Sequence, residues 1–256
     1  MLHQERALRI RAQKSTREAQ LLQDILTHDV RNYNQVSKLS AELLAEEFSR
    51  NPDAQSLVSQ MLQSIDGSTM LVERAKMLGR VISDYEADRY PVNLLLSIKR
   101  SMELIVLAAP EKKVNSVIKI GSSAIAPLEA LDTESQIVDV LADDLLDEVF
   151  TNLFSNSVKY SAGDAFVGID LSEEFDKQLK KRCWKVSISD TGMGIPNELK
   201  ESLFSRYLEG AKGSGLGMSI VHALVVGRYG GKIQVSNRID KDHSKGTLIE
   251  LLLPSA

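Results

Sequence analysis

The chain has 256 residues, 43% of them hydrophobic, with 31 basic side chains against 35 acidic ones and a formal net charge of −4. That length and composition exclude a disordered chain, leave room for a sizeable core in one or two domains, and give no electrostatic reason to expect a nucleic-acid partner. The single cysteine, Cys183, excludes an intrachain disulfide and a cysteine-based metal cluster, which fits a reducing, cytoplasmic setting.

No stretch reaches the ~18 apolar residues of a membrane span, so no membrane contact is expected within these residues. Met1-Leu2-His3-Gln4-Glu5-Arg6 is not a signal peptide, and a start inside a charged helical pattern fits a piece of a longer protein. Residues from about 5 to 50, free of Pro and Gly, read as one long helix. From Leu22 its apolar positions (Leu22, Leu26, Val30, Tyr33, Val36, Leu43 and Leu44) share one side at ~100° per residue, with His28 roughly opposite. Asn51-Pro52-Asp53 ends it, and a second helix runs to about Ile82, with Val58, Met61, Leu62, Ile65, Val72 and Ile82 on one face.

Two long helices with a short connection predict an antiparallel hairpin over residues 1–83. Two narrow stripes bury themselves poorly alone, so a homodimeric four-helix bundle is expected; packing of the hairpin on the rest of its own chain is the alternative. A polar connector is placed at 84–92. From 93 to 256 the pattern alternates, with helices at Asn93–Ala109, from Asp143 or Asp144 to about Tyr160, and from near Leu216. Strands are read at Val114–Gly121, Ile137–Leu141, Phe166–Leu171, Trp184–Ser189, Lys232–Asn237 and Thr247–Leu253. The fold class is therefore multi-domain: the helical hairpin, then an α+β sandwich with helices on one face of a mixed sheet.

Three stretches of the second part suit a nucleotide. Asn152 and Asn156 are four residues apart on a helix and share a face, where two amides can meet a metal or a triphosphate. Asp190-Thr191-Gly192-Met193-Gly194 follows a strand; its carboxylate can accept from an adenine amino group, and Gly192 and Gly194 allow backbone approach to the base. Gly213-Ser214-Gly215-Leu216-Gly217 opens a helix whose free N–H groups suit phosphate, although such a run alone could equally open a dinucleotide fold. In the hairpin, His28 is a near-neutral imidazole on an outward face, a competent nucleophile toward a phosphoryl group. Asp29 can accept a proton or orient the ring, and Asn32 lies one turn on along the same flank.

The order and spacing of these motifs resemble the cytoplasmic core of sensor histidine kinases over nearly the whole chain. The hairpin resembles their dimerisation and phosphoacceptor domain. Residues from about 90 to 254 resemble the GHKL-type catalytic domain that those kinases share with DNA gyrase, heat-shock chaperone ATPases and mismatch-repair ATPases. The resemblance implies that Asn156 binds Mg²⁺ and that Lys159 and Tyr160 contact ATP, and it matches Lys245-Gly246-Thr247 to the last glycine motif, which adds Thr247 to the nucleotide site. It also implies that Asp29 serves as general base and that Asn32 orients water when a partner's phosphoaspartate is hydrolysed. The implied partners are a second copy of the chain and a response-regulator receiver domain; the implied location is cytoplasmic, alone or as part of a membrane-bound sensor.

Where the related ATPases carry a water-activating glutamate, this chain has Asn152, which cannot act as a base. Two further departures are Tyr33, where many relatives have a helix-kinking proline, and a lid of only eight residues between Phe204 and Gly213, with Glu209 where many carry a basic residue. Arg206 or Lys212 is then left to meet the γ-phosphate. His-Asp-x-Arg-Asn resembles a variant common in archaeal kinases. Two other readings remain open: a nucleotide-binding regulatory module without transfer, and a gyrase-like ATPase.

Overall fold

The structure is a computed structural model that describes residues 27–83, 88–133, 136–204 and 217–256. It divides into two compact units, one holding the helical hairpin and the other beginning after residue 84.

In the first unit α1 covers 27–47 and α2 covers Pro52–Ser83. The expected end near residue 50 is accurate to one turn, because 48–50 form the turn itself, and Asn51 caps α2 by accepting from the N–H groups of Asp53 and Ala54. Cross-helix pairs fix an antiparallel register. Arg31 meets Glu73, the Asn34 amide donates to Ser68 and Thr69 (3.1 and 3.0 Å), Lys38 meets Asp66 (2.9 Å), and Gln55 donates to the Ala45 carbonyl. The face of α1 turned to α2 is thus made of Asn34, Ala41 and Ala45, small or polar residues that permit close approach.

The apolar stripe read from the sequence lies elsewhere. Tyr33 is 75% exposed, Val36 66% and Leu43 58%, as are Leu57 (62%) and Met61 (48%) on α2. Only Ala41 and Val58 are buried apolar residues among the described part of the hairpin. Leu22 and Leu26 of that stripe lie outside the described residues.

The second unit opens with β1 (Tyr90–Asn93), which pairs antiparallel with β4 (Asp139–Ala142) in a two-stranded sheet of its own. The polar connector expected to reach residue 92 is therefore shorter, since Tyr90 to Val92 are strand. Asn93 ends that strand and caps α3 (Leu94–Ala108) by accepting from the Leu96 N–H. Next come β2 (Val114–Ile120), β3 (Ala126–Pro127), a 3₁₀ turn at Leu128–Ala130, α4 (Leu146–Lys159), β5 (Ala165–Asp176), β6 (Lys181–Asp190) and the short α5 (Asn197–Lys200). The chain ends with α6 (Gly217–His222), continued as a π-helix over Ala223–Arg228, then β7 (Lys232–Ile239) and β8 (Asp242–Pro254).

The main sheet runs β3-β2-β5-β6-β8-β7, with β2 and β5 parallel and the other pairs antiparallel, so it is mixed as expected. Alternation decides its faces. Val167, Ile169 and Leu171 of β5, Val186 and Ile188 of β6, and Ile249, Leu251 and Leu253 of β8 are buried with Ile98, Phe150, Leu153, Ile220 and Val221 of the helices. The opposite face carries polar ladders such as Lys119–Asp170 (3.6 Å) and Lys185–Glu250 (2.5 Å). The β5–β6 hairpin turns through Lys180 at φ 54°.

Candidate active site

In the hairpin, His28 is exposed, and its Nδ1 lies 3.2 Å from the Asp29 carboxylate. A carboxylate only accepts, so this contact is a hydrogen bond when the ring carries its proton on Nδ1, the tautomer whose lone pair is on Nε2. The Asn32 amide lies against the same ring, 3.3 Å from Nδ1 and 3.5 Å from Nε2. The structure thus brings the three residues singled out from the sequence together on one turn of α1.

In the second unit three stretches distant in sequence converge on Asp190, the last residue of β6. Its Oδ1 accepts from the Gly192 N–H (2.8 Å) and the Thr247 N–H (3.2 Å). Burial pushes its carboxyl above the usual range; those two N–H groups, the Ser157 hydroxyl and the Arg238 charge pull the other way. An ionised carboxylate has about four acceptor directions, so the second oxygen keeps capacity for an outside donor.

Glycine is required where the stretches touch. A Cβ on Gly194 (φ +68°) would sit 1.5 Å from the His243 carbonyl oxygen, and one on Gly246 (φ +105°) 1.9 Å from that of Asp190. The Met193 N–H donates to the Tyr160 carbonyl at 3.1 Å, which joins the end of α4 to the same turn.

Along α4, Asn152 is buried rather than on a solvated face. Its Nδ2 donates to the Glu148 carbonyl, and its Oδ1 would stand 2.8 Å from a Cβ on Gly217, so a side chain where α6 begins would press on this amide. The half-buried Asn156 turns its Nδ2 toward the Met218 sulfur at 3.5 Å, a contact that does not use its amide oxygen. Lys159 is exposed, its ammonium 5.4 Å from the centre of the Tyr160 ring. Gly213, Gly215, Leu216 and the lid residues Arg206, Glu209 and Lys212 lie outside the described residues. Phe204, the last described residue before them, packs its ring against His222 at 5.3 Å.

No cluster of three His, Cys, Asp or Glu side chains able to hold a metal occurs among the described residues. The donor set fits Mg²⁺ all the same, because that ion keeps several waters and is commonly held by one or two protein oxygens plus the phosphates it arrives with.

Sequence reading missed the far end of this assembly. Asp143, read only as one of two starting points of a helix, accepts at Oδ1 from the Leu145 N–H (3.0 Å) and the Tyr229 hydroxyl (2.8 Å), and at Oδ2 from the Arg228 guanidinium. All three side chains are buried. Burial and the carboxylate push the Tyr229 phenol far above its ordinary range, so it stays a donor. No local pattern announces a bond between residues 85 positions apart.

Residues 142–256 match the family of histidine kinase-, DNA gyrase B- and HSP90-like ATPases. The chain is 34% identical over 122 residues to the sensor histidine kinase AruS of Pseudomonas aeruginosa, covering 44% of this chain and 12% of that one. It is 26% identical over 238 residues to the sensor histidine kinase ZraS of Escherichia coli, covering 90% and 44%. Among solved structures it resembles the mycobacterial sensor histidine kinase MprB (TM-score 0.51, 25% identity, 65% of this chain and 97% of that one). It also resembles full-length ShkA in complex with AMPPNP (TM-score 0.64, 21% identity, 92% and 46%). The chain spans 10 to 56% of the length of the first three curated relatives it matches.

Proposed function

This chain carries a histidine kinase catalytic core, an ATP-binding domain of the kind shared with DNA gyrase B and HSP90, and on that premise we propose that it phosphorylates itself on His28 and passes the phosphoryl group to an aspartate of a response-regulator receiver domain. The observation that carries the nucleotide half is the convergence of the end of α4, the turn after β6 and Thr247 of β8 on Asp190 and the turn that follows it. Asp190 takes the adenine amino group, and Gly192, Gly194 and Thr247 line the base. Lys159 and Tyr160 flank the nucleotide, and the phosphates go to the N-terminal end of α6, where Gly217 lies beside Asn152. Asn156 supplies one oxygen to a magnesium ion, which when bound shields the charge of the triphosphate.

The chain's own residues perform the transfer. The Nε2 lone pair of His28 attacks the γ-phosphorus; an N–P bond forms, the bond to the bridging oxygen breaks, and ADP leaves with those electrons. The Nδ1 proton passes toward Asp29, which already holds it by the 3.2 Å contact. In the second transfer the N–P bond breaks as a carboxylate oxygen of the regulator takes the phosphoryl group. Asn152 cannot take a proton from water, so nucleotide is reserved for the histidine rather than hydrolysed. Asn32 lies where its amide can hold a water in line with a phosphoaspartate, giving regulator phosphatase action by orientation alone. The exposed face carrying Tyr33, Val36, Leu43, Leu57 and Met61 belongs in a four-helix bundle with a second copy of the chain.

Incubation with γ-labelled ATP should leave an acid-labile, base-stable label on the chain. His28→Gln should remove the label while nucleotide binding is kept, and full labelling of that variant would overturn the assignment. With the phosphorylated regulator as substrate, Asn32→Ala should lose dephosphorylation and keep most of the labelling; parallel loss of both would mean only a damaged helix.

A further inference from the structure

The two helices that hold the nucleotide residues run antiparallel and are joined at both ends. At one end Asn152 lies against Gly217, and Asn156 against Met218. At the other, Asp143 precedes α4 and binds Arg228 and Tyr229, which close the π-helix continuing α6. Asn156 stands ten residues into α4 from Leu146, about 15 Å along the axis. The end carrying Asp143 makes none of the nucleotide contacts described above, yet it sets the spacing of the two helices that do.

This rear junction is assembled from the entrance of the second unit. The Arg89 guanidinium donates to the Arg228 carbonyl (3.2 Å), satisfying a carbonyl at the C-terminal end of the π-helix. The hydroxyl of Tyr90, the first residue of β1, donates to Asp144. Adjacent residues therefore grip one nucleotide helix each, Arg89 the π-helix and Tyr90 the segment leading into α4. The helix at this point is itself unusual. The Tyr229 N–H reaches back five residues to the Leu224 carbonyl at 2.8 Å, the wide turn of a π-helix. Consecutive side chains of a regular α-helix diverge by ~100°, but here Arg228 and Tyr229 meet one carboxylate.

We propose that Arg89 and Tyr90 are positioning residues for ATP: by holding the rear ends of the π-helix and α4 together they fix how Asn152, Asn156 and Gly217 are presented at the front, and so tune nucleotide affinity from the point where the chain enters the catalytic unit. The inference rests on the reading of α4 and α6 as the nucleotide helices. It requires that loosening the entrance residues weaken ATP without unfolding the unit. Both side chains are at the surface, Tyr90 at 42% exposure, so their loss leaves the buried Asp143–Arg228 pair in place.

The test uses the full chain. Binding of Mg-ATP is measured by calorimetry for the parent, Arg89→Ala, Arg89→Lys, Tyr90→Phe and a control in the exposed Arg182–Glu173 pair, Arg182→Ala, with the melting temperature of each nucleotide-free protein. Arg89→Ala and Tyr90→Phe should each bind ATP at least ~5-fold more weakly, with melting temperatures at the parent's value. Arg89→Lys should recover most of the affinity, and Arg182→Ala should match the parent. In turnover, KM for ATP should rise at constant kcat. Parent-like affinity in both variants would overturn the proposal. So would affinity and melting temperature falling together, since that marks a structural role alone. A parent that failed to bind ATP would instead overturn the reading of the site, and this inference with it.

Discussion

The two units solve the problem of a core in opposite ways. The catalytic unit buries rows of Val, Ile and Leu from three central strands against Ile98, Phe150, Leu153 and Ile220, and pins its helices with a buried ion pair. The hairpin buries almost nothing apolar in its described part. It joins α1 to α2 through Asn34, two alanines and surface ion pairs, while Tyr33, Val36, Leu43 and Met61 face outward. Surface ion pairs contribute about 0–1 kcal/mol each, whereas each large apolar side chain taken out of water contributes ~1.5–3 kcal/mol. A register set by polar pairs with the apolar residues held in reserve suits a hairpin that completes its core with something else. The catalytic unit needs no such completion.

The comparison can be broken first where the catalytic unit is most committed. Arg228→Ala leaves Asp143 buried without its charge partner and should destabilise the catalytic unit by about 3–5 kcal/mol, read as a lower urea midpoint; a midpoint within error of the parent's would mean the pair carries no such burden. Next comes the hairpin's reserve. Leu43→Asp should weaken self-association by about 1.5–3 kcal/mol per copy, seen by sedimentation over a range of concentrations, with the catalytic unit's urea midpoint unmoved; a parent that stays monomeric throughout would remove the bundle. The smallest effect separates the glycines. A Cβ added at Gly67, within α2, would meet nothing within 4 Å, so Gly67→Ala should stabilise the hairpin by about 0.5–1 kcal/mol in thermal unfolding. Gly194→Ala, whose Cβ would fall 1.5 Å from a carbonyl oxygen, should instead destabilise the catalytic unit.

Much of this was legible because it is local. The asparagine helix, the Asp190 turn and the His28 turn each lie within a few residues, so each reads as a local unit: Asp190 accepts from Gly192 two residues on, and Asn32 lies against His28 one turn away. Strand β1 escaped because four residues containing Pro91 at the end of a polar segment carry no alternation, and proline is tolerated only where a strand needs no ladder donor. The π-helix escaped because an extra residue in a wide turn leaves the apolar period nearly intact. The stripe on α1 was real, but its direction was not decidable from one helix; Ala41 and Ala45, unremarkable as letters, turned out to be the face against α2. Strands read at six residues extend to twelve in β5, because Ser172–Asp176, polar but for the exposed Phe175, continue the ladder outside the core.

Helix α4 ends differently from most. At its start the Asp143 carbonyl accepts from the Leu146 N–H at 3.0 Å, and at its finish the Lys112 ammonium donates to the carbonyls of Val158 and Ser161 at 2.8 and 2.9 Å, a cation on the negative end of the dipole. Helix ends ordinarily fray, so their amides trade hydrogen for deuterium long before those of the middle turns. A helix clamped at both termini has no free end to open first. Its amides should exchange as one block with the opening of the whole unit, and the asparagines it carries keep their spacing through every lesser fluctuation.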